Sequence, residues 1–214
     1  MQLERWTSPA GKARVLTRLD PHERRRYERA IALAFPNTRP GASVFGSPAP
    51  GRNLSLAAER RRWRAAIRAR SIGATSVLSS DVADCFGSIG ERAIRAAAAR
   101  TGGDPAALLR VIRQYREAGG LGIPIGPAGS GTIADAVLSL ADERAHVAGC
   151  APVRWVDDVV FAGSRDAVAR AARGWQEALL ELGMREHEGK RTTNPSGAQG
   201  SPVAWIGRGI MRGS

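Results

Sequence analysis

Two short acidic segments, far apart in the chain, contain the residues best suited to catalysis. The segment Asp81-Val82-Ala83-Asp84 follows a run of apolar residues, and the pair Asp157-Asp158 lies among valines. Adjacent carboxylates repel each other and are costly to hold beside a core. A divalent cation offsets that cost, and carboxylate oxygens suit Mg²⁺, with Mn²⁺ as a substitute. Two such ions about 4 Å apart can clamp an in-line phosphoryl transfer, so the pattern indicates a two-metal site.

The alternative interpretation of the Asp157-Asp158 pair is an ordinary solvated hairpin turn. Tight hairpin turns favour Asn-Gly or Asp-Gly, because glycine accepts the required backbone conformation. No glycine is present in the segment Trp155-Val156-Asp157-Asp158. This composition favours the metal site, although the turn remains open as an alternative.

The elements that must position these acids are short strands set among helices. Residues 75–82 are predicted to form a buried strand that ends beside the first acid, and residues 153–162 a hairpin with the Asp-Asp pair at its tip. Helices are predicted from Pro21, over 56–70, from Glu91, after Asp104-Pro105, around 133–140 and over 166–182, and further strands near 184–188 and 203–206. Because strands and helices mix without strict βαβ alternation, the predicted class is α+β.

Length and composition exclude several classes of protein. The chain has 214 residues, of which 43% are hydrophobic, enough for the core of one domain and too many for a disordered chain. Two cysteines exclude a disulfide framework and a cysteine-rich zinc site. No run is long enough to span a membrane, and the charged residues 1–6 are unlike a secretory signal. We therefore expect a cytoplasmic protein without a membrane partner.

The net charge of +12 is concentrated at one end of the chain. Residues 1–72 carry 16 basic and 5 acidic side chains, whereas residues 73–214 carry 16 and 15. We therefore divide one compact unit into a basic segment, 1–72, and a catalytic segment, 73–214. A strongly basic segment usually binds phosphate groups, which predicts contact with a nucleotide or a nucleic acid.

The predicted helix over 56–70 contributes much of this charge. Leu56, Trp63 and Ile67 are expected on its buried face. Its arginines have no acidic partners four residues away, so we expect these to contact nucleic acid: Arg60, Arg61, Arg64 and Arg68. The alternative is that this side of the helix is only solvated.

Several segments, in the same order along the chain, resemble the conserved motifs of reverse transcriptases. They are residues 11–15 (the fingers segment that holds the triphosphate), 81–89 (motif A), 121–130 (motif B), 155–158 (motif C, usually Tyr-x-Asp-Asp), 183–190 (motif D) and 205–207 (motif E). The motif B segment, Leu-Gly-Ile-Pro-Ile-Gly-Pro, is most similar in wording to the prokaryotic abortive-infection and defence-associated reverse transcriptases. The resembling segments span nearly the whole chain.

The resemblance implies a right-hand polymerase with fingers and palm. An antiparallel palm sheet would pack on helices, and the thumb would be absent or very reduced. The implied activity is that of an RNA-directed DNA polymerase, which adds dNTPs to a 3′-hydroxyl with two Mg²⁺ ions, RNA-templated or template-independent, with a role in antiphage defence. The implied partners are dNTP, an RNA or DNA primer–template, and a partner protein or second copy that supplies the thumb function.

The resemblance also implies roles for individual residues. Asp81 and Asp157 would ligate both ions, helped by the Val82 carbonyl, with Asp158 nearby. Phe86 would lie under the sugar as a steric gate against a 2′-hydroxyl, unless it is an ordinary core aromatic. Further contacts would come from Lys12 and Arg14 at the triphosphate, Asp84 at the nucleotide, Pro124, Gly126 and Ser130 under the nascent pair, and Trp155 at the primer terminus.

Lys12 and Lys190 are the only lysines, in a chain that otherwise uses arginine. Lysine can release a proton near neutral pH, whereas arginine cannot. A general acid that protonates the pyrophosphate leaving group needs this property. Lys190 lies in the segment that resembles motif D, where the family places such a lysine, and chance survival of two lysines is the alternative.

Three positions depart from the family pattern. Ile125, Trp155 and Asp135 stand where glutamine, tyrosine and asparagine are common. The alternative function is a non-catalytic reverse-transcriptase-like module that binds nucleic acid or a protein, although the presence of Asp81, Asp157 and Asp158 argues against it. A nucleotidyl cyclase or another palm-domain enzyme is a third, but the segments resembling fingers and motif B do not fit it.

Overall fold

The computed structural model describes residues 1–7, 13–38, 44–46 and 55–195. Helices and short strands alternate irregularly along the chain, which confirms the α+β class. The strands are β1 (Gln2–Thr7), β2 (Ala13–Arg18), β3 (Val44–Phe45), β4 (Ser76–Asp81), β5 (Val153–Trp155), β6 (Asp158–Gly163) and β7 (Thr192–Pro195). The helices are α1 (Pro21–Ala34), α2 (Leu56–Ser71), α3 (Cys85–Ser88), α4 (Glu91–Thr101), α5 (Ala106–Glu117), α6 (Gly129–Val147) and α7 (Arg165–Glu181), with a 3₁₀ turn at Glu188–Lys190.

The strands of the described residues form a five-stranded sheet and a separate hairpin. The sheet has the order β3-β5-β6-β4-β7, and β6 is antiparallel to both of its neighbours. Strand β7 is antiparallel to β4, whereas β3 runs parallel to β5. The hairpin pairs β1 with β2. The turn between β5 and β6 therefore lies beside the C-terminal end of β4.

The sheet has apolar side chains on both faces, because successive residues of a strand point to opposite sides. Val77 and Val160 pack with Trp63 of α2 in a small cluster. Leu78 and Phe161, one residue further along each strand, join the main core. Helices α1, α4, α5, α6 and α7 contribute to that larger core. The sheet is thus held between α2 and the main helical layer.

Helix α1 begins where the sequence predicts. The Asp20 carboxylate accepts hydrogen bonds from the backbone amides of His22 and Glu23, each at 2.8 Å. The Glu23 carboxylate accepts in return from the Asp20 amide at 3.1 Å, which completes a capping box. The predicted strand at 75–82, the hairpin at 153–162 and the helices over 56–70 and 166–182 are likewise confirmed.

Three expectations differ from the structure. Leu56, the first residue of α2, is 64% exposed, whereas Trp63 and Ile67 of the same helix are buried as predicted. The strand near 184–188 is wrong: this segment makes a single bridge between Val82 and Glu186 before the 3₁₀ turn. The β1–β2 hairpin was not expected, and the strand near 203–206 lies outside the described residues. No helix in the described ranges is long and apolar enough to cross a membrane.

Candidate active site

The two acidic segments meet at one end of the sheet. Asp81 is the last residue of β4, and Asp158, the first residue of β6, is its direct partner in the antiparallel register. The Val82 amide donates a hydrogen bond of 3.3 Å to the Asp157 carbonyl. The Asp81 side chain is only 6% exposed. Strand pairing therefore gathers the three acids predicted from separate segments.

The turn that carries Asp157 has a strained backbone. Val156 has φ +51°, a left-handed conformation that is unusual for a β-branched residue. Its amide donates to the Phe45 carbonyl at 3.0 Å, which attaches the turn to β3. Strain of this kind persists only where the surroundings enforce it. The position of Asp157 thus depends on contacts made by the residues around the turn.

Lys190 contacts the Asp81 carboxylate directly. Its Nζ donates to Asp81 Oδ2 at 2.5 Å, and the lysine side chain is 48% exposed. Burial alone would lower the pKa of Lys190, but the hydrogen bond to Asp81 and the charges of Asp81, Asp158 and Asp157 raise it above its usual value. Lys190 is therefore an ammonium ion at neutral pH, and it neutralises part of the acidic cluster.

Backbone hydrogen bonds hold the segment that carries Lys190 against the end of β4. The His187 amide donates to the Asp81 carbonyl at 2.7 Å, and the Ala83 amide donates to the Arg185 carbonyl at 2.9 Å. The 3₁₀ turn then brings Lys190 over the Asp81 carboxylate. The segment 184–188, which was predicted as a strand, is therefore held beside β4 by isolated backbone hydrogen bonds and not by a strand ladder.

A cavity of about 740 Å³ opens beside the acids. Its lining includes three acidic residues, Asp81, Asp84 and Asp157, and three basic residues, Arg5, Arg14 and Lys190. Its apolar lining includes Val15, Val82, Phe86, Leu121 and Ile125. A cavity of this kind can hold an anion that is bridged to carboxylates by cations.

The β1–β2 hairpin brings the two arginines to the cavity. In its register Arg5 is opposite Val15, and Trp6 is opposite Arg14. Strand β2 is attached to the loop that resembles motif B, because the Thr17 amide donates to the Ile125 carbonyl at 2.7 Å. The hairpin therefore contributes two basic side chains to the cavity that Asp81 and Asp157 also line.

Gly126 permits this attachment. Its φ is +117°, and a Cβ at this position would lie 3.2 Å from the Thr17 carbonyl oxygen. Gly122, in the same loop, has φ +61°, and a Cβ there would collide with the Phe86 carbonyl. The Ile123 amide donates to that carbonyl at 2.9 Å. The glycines thus let one loop join the hairpin to the segment that resembles motif A.

Cys85 and Phe86, which follow the acidic segment 81–84, have distinct environments. Phe86 is half-buried, lines the cavity and packs on the main core. Burial raises the pKa of the Cys85 thiol, and the Asp157 charge raises it further. Cys85 is therefore a neutral thiol and adds no charge to the acidic cluster.

Ser130 and Pro124 lie outside the cavity lining. The Ser130 side chain is buried, and its Oγ shares a hydrogen bond of 2.8 Å with the Tyr27 hydroxyl. Pro124 is also buried. Their structural effect is to fix the start of α6 and the preceding loop, so a contribution to nucleotide binding would be indirect.

The predicted nucleic-acid residues lie on and beside α2. The Arg60 guanidinium lies 5.6 Å from the centre of the Trp155 ring, within the range of a cation–π interaction. The Trp63 ring also lies close to Trp155, with 5.7 Å between ring centres. Arg61 and Arg68 are exposed and Arg64 is half-buried. These residues flank the sheet and do not line the cavity.

The oxygen donors at this end of the sheet match Mg²⁺ in kind, because carboxylate and carbonyl oxygens are its usual protein ligands. In the part of the chain that the structure describes, however, no three His, Cys, Asp or Glu side chains are grouped closely enough to hold an ion. The Lys190 ammonium occupies one oxygen of Asp81. A divalent ion would have to compete with Lys190 for that carboxylate.

Some cavity-lining residues, among them Arg5, Tyr115 and His187, were given no role from the sequence. Arg5 and Tyr115 belong to no recognisable motif, and His187 lies in the segment that resembles motif D without a role of its own. Arg5 was hidden in the general basic charge of residues 1–72. A prediction that residues 2–7 pair with residues 13–18 would have placed Arg5 near Arg14. Lys12 and the segment that resembles motif E lie outside the described residues, so their roles stay predictions.

Comparison with known proteins does not assign the chain to a family. A scan against models of protein families matched none. A search among curated proteins found no significant relative.

Proposed function

We propose that the protein is a reverse-transcriptase-like nucleotidyltransferase that adds dNTPs to a 3′-hydroxyl, RNA-templated or template-independent. The observation that carries this proposal is the convergence of Asp81, Asp157 and Lys190 with Arg14 on one cavity. These residues come from four separate segments that resemble polymerase motifs in order. Chance surface charges would not be expected to meet at the end of one sheet.

The β4–β5–β6 part of the sheet would serve as the palm, and the β1–β2 hairpin as part of the fingers. Arg5 and Arg14 line the same cavity as the acids and carry permanent positive charge, which suits a bound triphosphate. Phe86 lines the same cavity and would contact the sugar. An antiphage role remains part of the proposal.

Asp81 and Asp157 would hold Mg²⁺ or Mn²⁺ together with the Val82 carbonyl. Such ions, when bound, neutralise phosphate charge and activate the attacking hydroxyl. Lys190 would leave Asp81 when an ion binds there, and its ammonium would then be available to protonate the leaving pyrophosphate. The contact in the structure keeps this lysine beside the site before an ion binds.

Incorporation of labelled dNTP tests the proposal. The purified protein is incubated with Mg²⁺ or Mn²⁺, with and without an RNA template, and with a DNA primer. Incorporation is expected from the native protein and should fall to background in Asp157→Ala and Asp158→Ala. Asp166→Ala, which removes an exposed carboxylate at the start of α7, is the matched control and should retain activity.

A non-catalytic nucleic-acid-binding module is the second candidate. It is favoured by the Lys190–Asp81 ion pair, which could serve as a permanent substitute for a metal ion. This candidate predicts no incorporation under any condition, together with salt-sensitive nucleic-acid binding that Asp157→Ala leaves intact. Incorporation that requires Asp157 would exclude it.

A further inference from the structure

Arg154 is a buried charge beside the candidate active site. It lies on β5, and its side chain is 1% exposed. Two carboxylates of α6 neutralise it: Nη1 donates to Asp135 Oδ1 at 3.1 Å, and Nε donates to Asp142 Oδ2 at 3.0 Å. The other Asp142 oxygen accepts from Trp175 Nε1 at 3.3 Å, which fixes this carboxylate on α7. The guanidinium is therefore held rigidly between the sheet and two helices.

The same guanidinium holds the turn that carries Asp157. Arg154 Nη1 donates a hydrogen bond of 2.5 Å to the Val156 carbonyl. Val156 is the residue with φ +51°, and its carbonyl belongs to the peptide that joins it to Asp157. A left-handed valine is unfavourable unless other contacts enforce it. The Arg154 bond is such a contact.

Stability alone does not account for this cluster. Buried ion pairs are often no more stabilising than apolar residues of the same volume, because desolvation offsets the attraction. Arg154 Nη2 and Asp135 Oδ2 are, in addition, buried without a hydrogen-bond partner among the described residues. An apolar β5–α6 contact would avoid both costs. The feature that an apolar contact could not reproduce is the hydrogen bond to the turn.

We propose that Arg154 is a positioning residue, which uses its ion pairs with Asp135 and Asp142 to hold the Val156–Asp157 turn in a left-handed conformation. Asp157 is thereby oriented before any ligand binds. The consequence for catalysis rests on the proposed nucleotidyl transfer. The consequence for the turn does not, and the two are measured separately.

Hydrogen exchange followed by NMR tests the effect on the turn. In Arg154→Lys the positive charge is kept, but one ammonium cannot reach both carboxylates and the Val156 carbonyl. The amides of Val156 and Val82, which are bonded to Phe45 and Asp157, should then exchange at least about tenfold faster, while those of α5 keep their rates. Asp142→Asn removes one of the two counter-charges but leaves the bond from Nη1 to the Val156 carbonyl in place, so it should speed exchange of these two amides in the same direction but by clearly less than Arg154→Lys does.

Equal effects of the two variants, or native rates at both turn amides in Arg154→Lys, would overturn the proposal. If Arg154→Lys does not fold, Asp135→Asn serves instead. Asparagine has the shape of aspartate and keeps an acceptor oxygen, but without the negative charge it binds Arg154 Nη1 more weakly. Faster exchange of the turn amides relative to α5 supports the proposal in that variant. Unchanged exchange overturns it.

Kinetics test the consequence for catalysis. Arg154→Lys should lower kcat by about tenfold or more, with KM for dNTP changed by less than about threefold, because misplacement of Asp157 affects the chemical step. Val156→Asn in this background should restore part of kcat, since asparagine adopts the left-handed conformation readily. A purely structural loss would not be rescued by a change in the turn. If the native protein shows no transfer, the proposed function fails, while the exchange result still decides the role of Arg154.

Discussion

Lys190 Nζ lies 2.5 Å from Asp81 Oδ2, at the point where a divalent ion would be expected to bind. The side chain of Asp81 is almost fully buried, whereas that of Lys190 is about half exposed. The lysine can therefore move into solvent or into the cavity more easily than the aspartate can move away. Under the proposed function, this asymmetry would let Lys190 have two roles, as a counter-ion without metal and as a proton donor when a metal is bound.

Removal of the Lys190 ammonium should strengthen binding of Mn²⁺. In Lys190→Met the carboxylate of Asp81 loses a competitor but keeps its surroundings. We expect affinity to rise by up to about fivefold, since a partly exposed ion pair contributes at most about 1 kcal/mol. Titration of the nucleotide-free protein with Mn²⁺, followed by electron paramagnetic resonance, measures this. Weaker binding in the variant would mean that Lys190 supports the ion site rather than competes with it.

Substitution of Lys190 should lower the rate of catalysis, although it strengthens ion binding. Lys190→Met and Lys190→Arg should both lower kcat by about 100-fold, because general acid catalysis contributes at least that much and arginine does not release a proton near neutral pH. Single-turnover incorporation of dNTP measures the effect. Native kcat in Lys190→Arg would show that positive charge alone is sufficient at this position.

Phe86 should determine the choice between dNTP and rNTP. Its ring lines the cavity beside Asp84, so truncation creates space where a 2′-hydroxyl would lie. Phe86→Ala should lower the preference for dNTP over rNTP by at least about tenfold, a size typical of discrimination by the shape of an apolar pocket. Competition between labelled dNTP and rNTP measures the ratio. Phe86→Leu, which keeps most of the volume, should retain most of the preference, and an unchanged ratio in Phe86→Ala would leave Phe86 as a core residue.

The sequence predicted the meeting of Asp81 with the Asp157-Asp158 pair, because each acid sits at the end of a strongly apolar strand. It did not predict the contact of Arg5 with the site, since the residues of β1 show no clear alternation and their pairing depends on β2. The pairing of Lys190 with Asp81 depends on isolated backbone bonds, which leave no periodic pattern.

The sequence contained a signal for the buried ion pairs of Arg154. A single arginine inside the apolar segment 153–162 requires buried counter-charges. Asp135 and Asp142 are seven residues apart, so they lie on the same face of a helix. This spacing could have paired β5 with α6. The bond to the Val156 carbonyl could not have been predicted, because it depends on the left-handed turn.

The exposed arginines of α2 should give a salt-dependent contribution to nucleic-acid binding. Each phosphate contact releases counter-ions, so Arg61→Ala and Arg68→Ala should each reduce the slope of log affinity against log salt by about 1. Arg92→Ala, on α4, removes the same exposed charge and should leave the slope nearly native. Fluorescence anisotropy with a labelled primer–template over a range of salt measures all three. If the slopes in Arg61→Ala, Arg68→Ala and Arg92→Ala are equal, the α2 arginines do not contact nucleic acid and only face solvent.

The contact between Gly122 and the Phe86 carbonyl can be isolated by comparison with Gly73. Both glycines have similar left-handed backbones, with φ +61° and +72°, but a Cβ at Gly73 would meet nothing within 4 Å. Gly73→Ala should therefore cost only the backbone strain, about 1–2 kcal/mol, whereas Gly122→Ala must also separate the two loops and should cost at least about 1 kcal/mol more. Urea unfolding measures the free energy of unfolding of both variants. Equal decreases would show that the loops around the cavity separate at no measurable cost in stability.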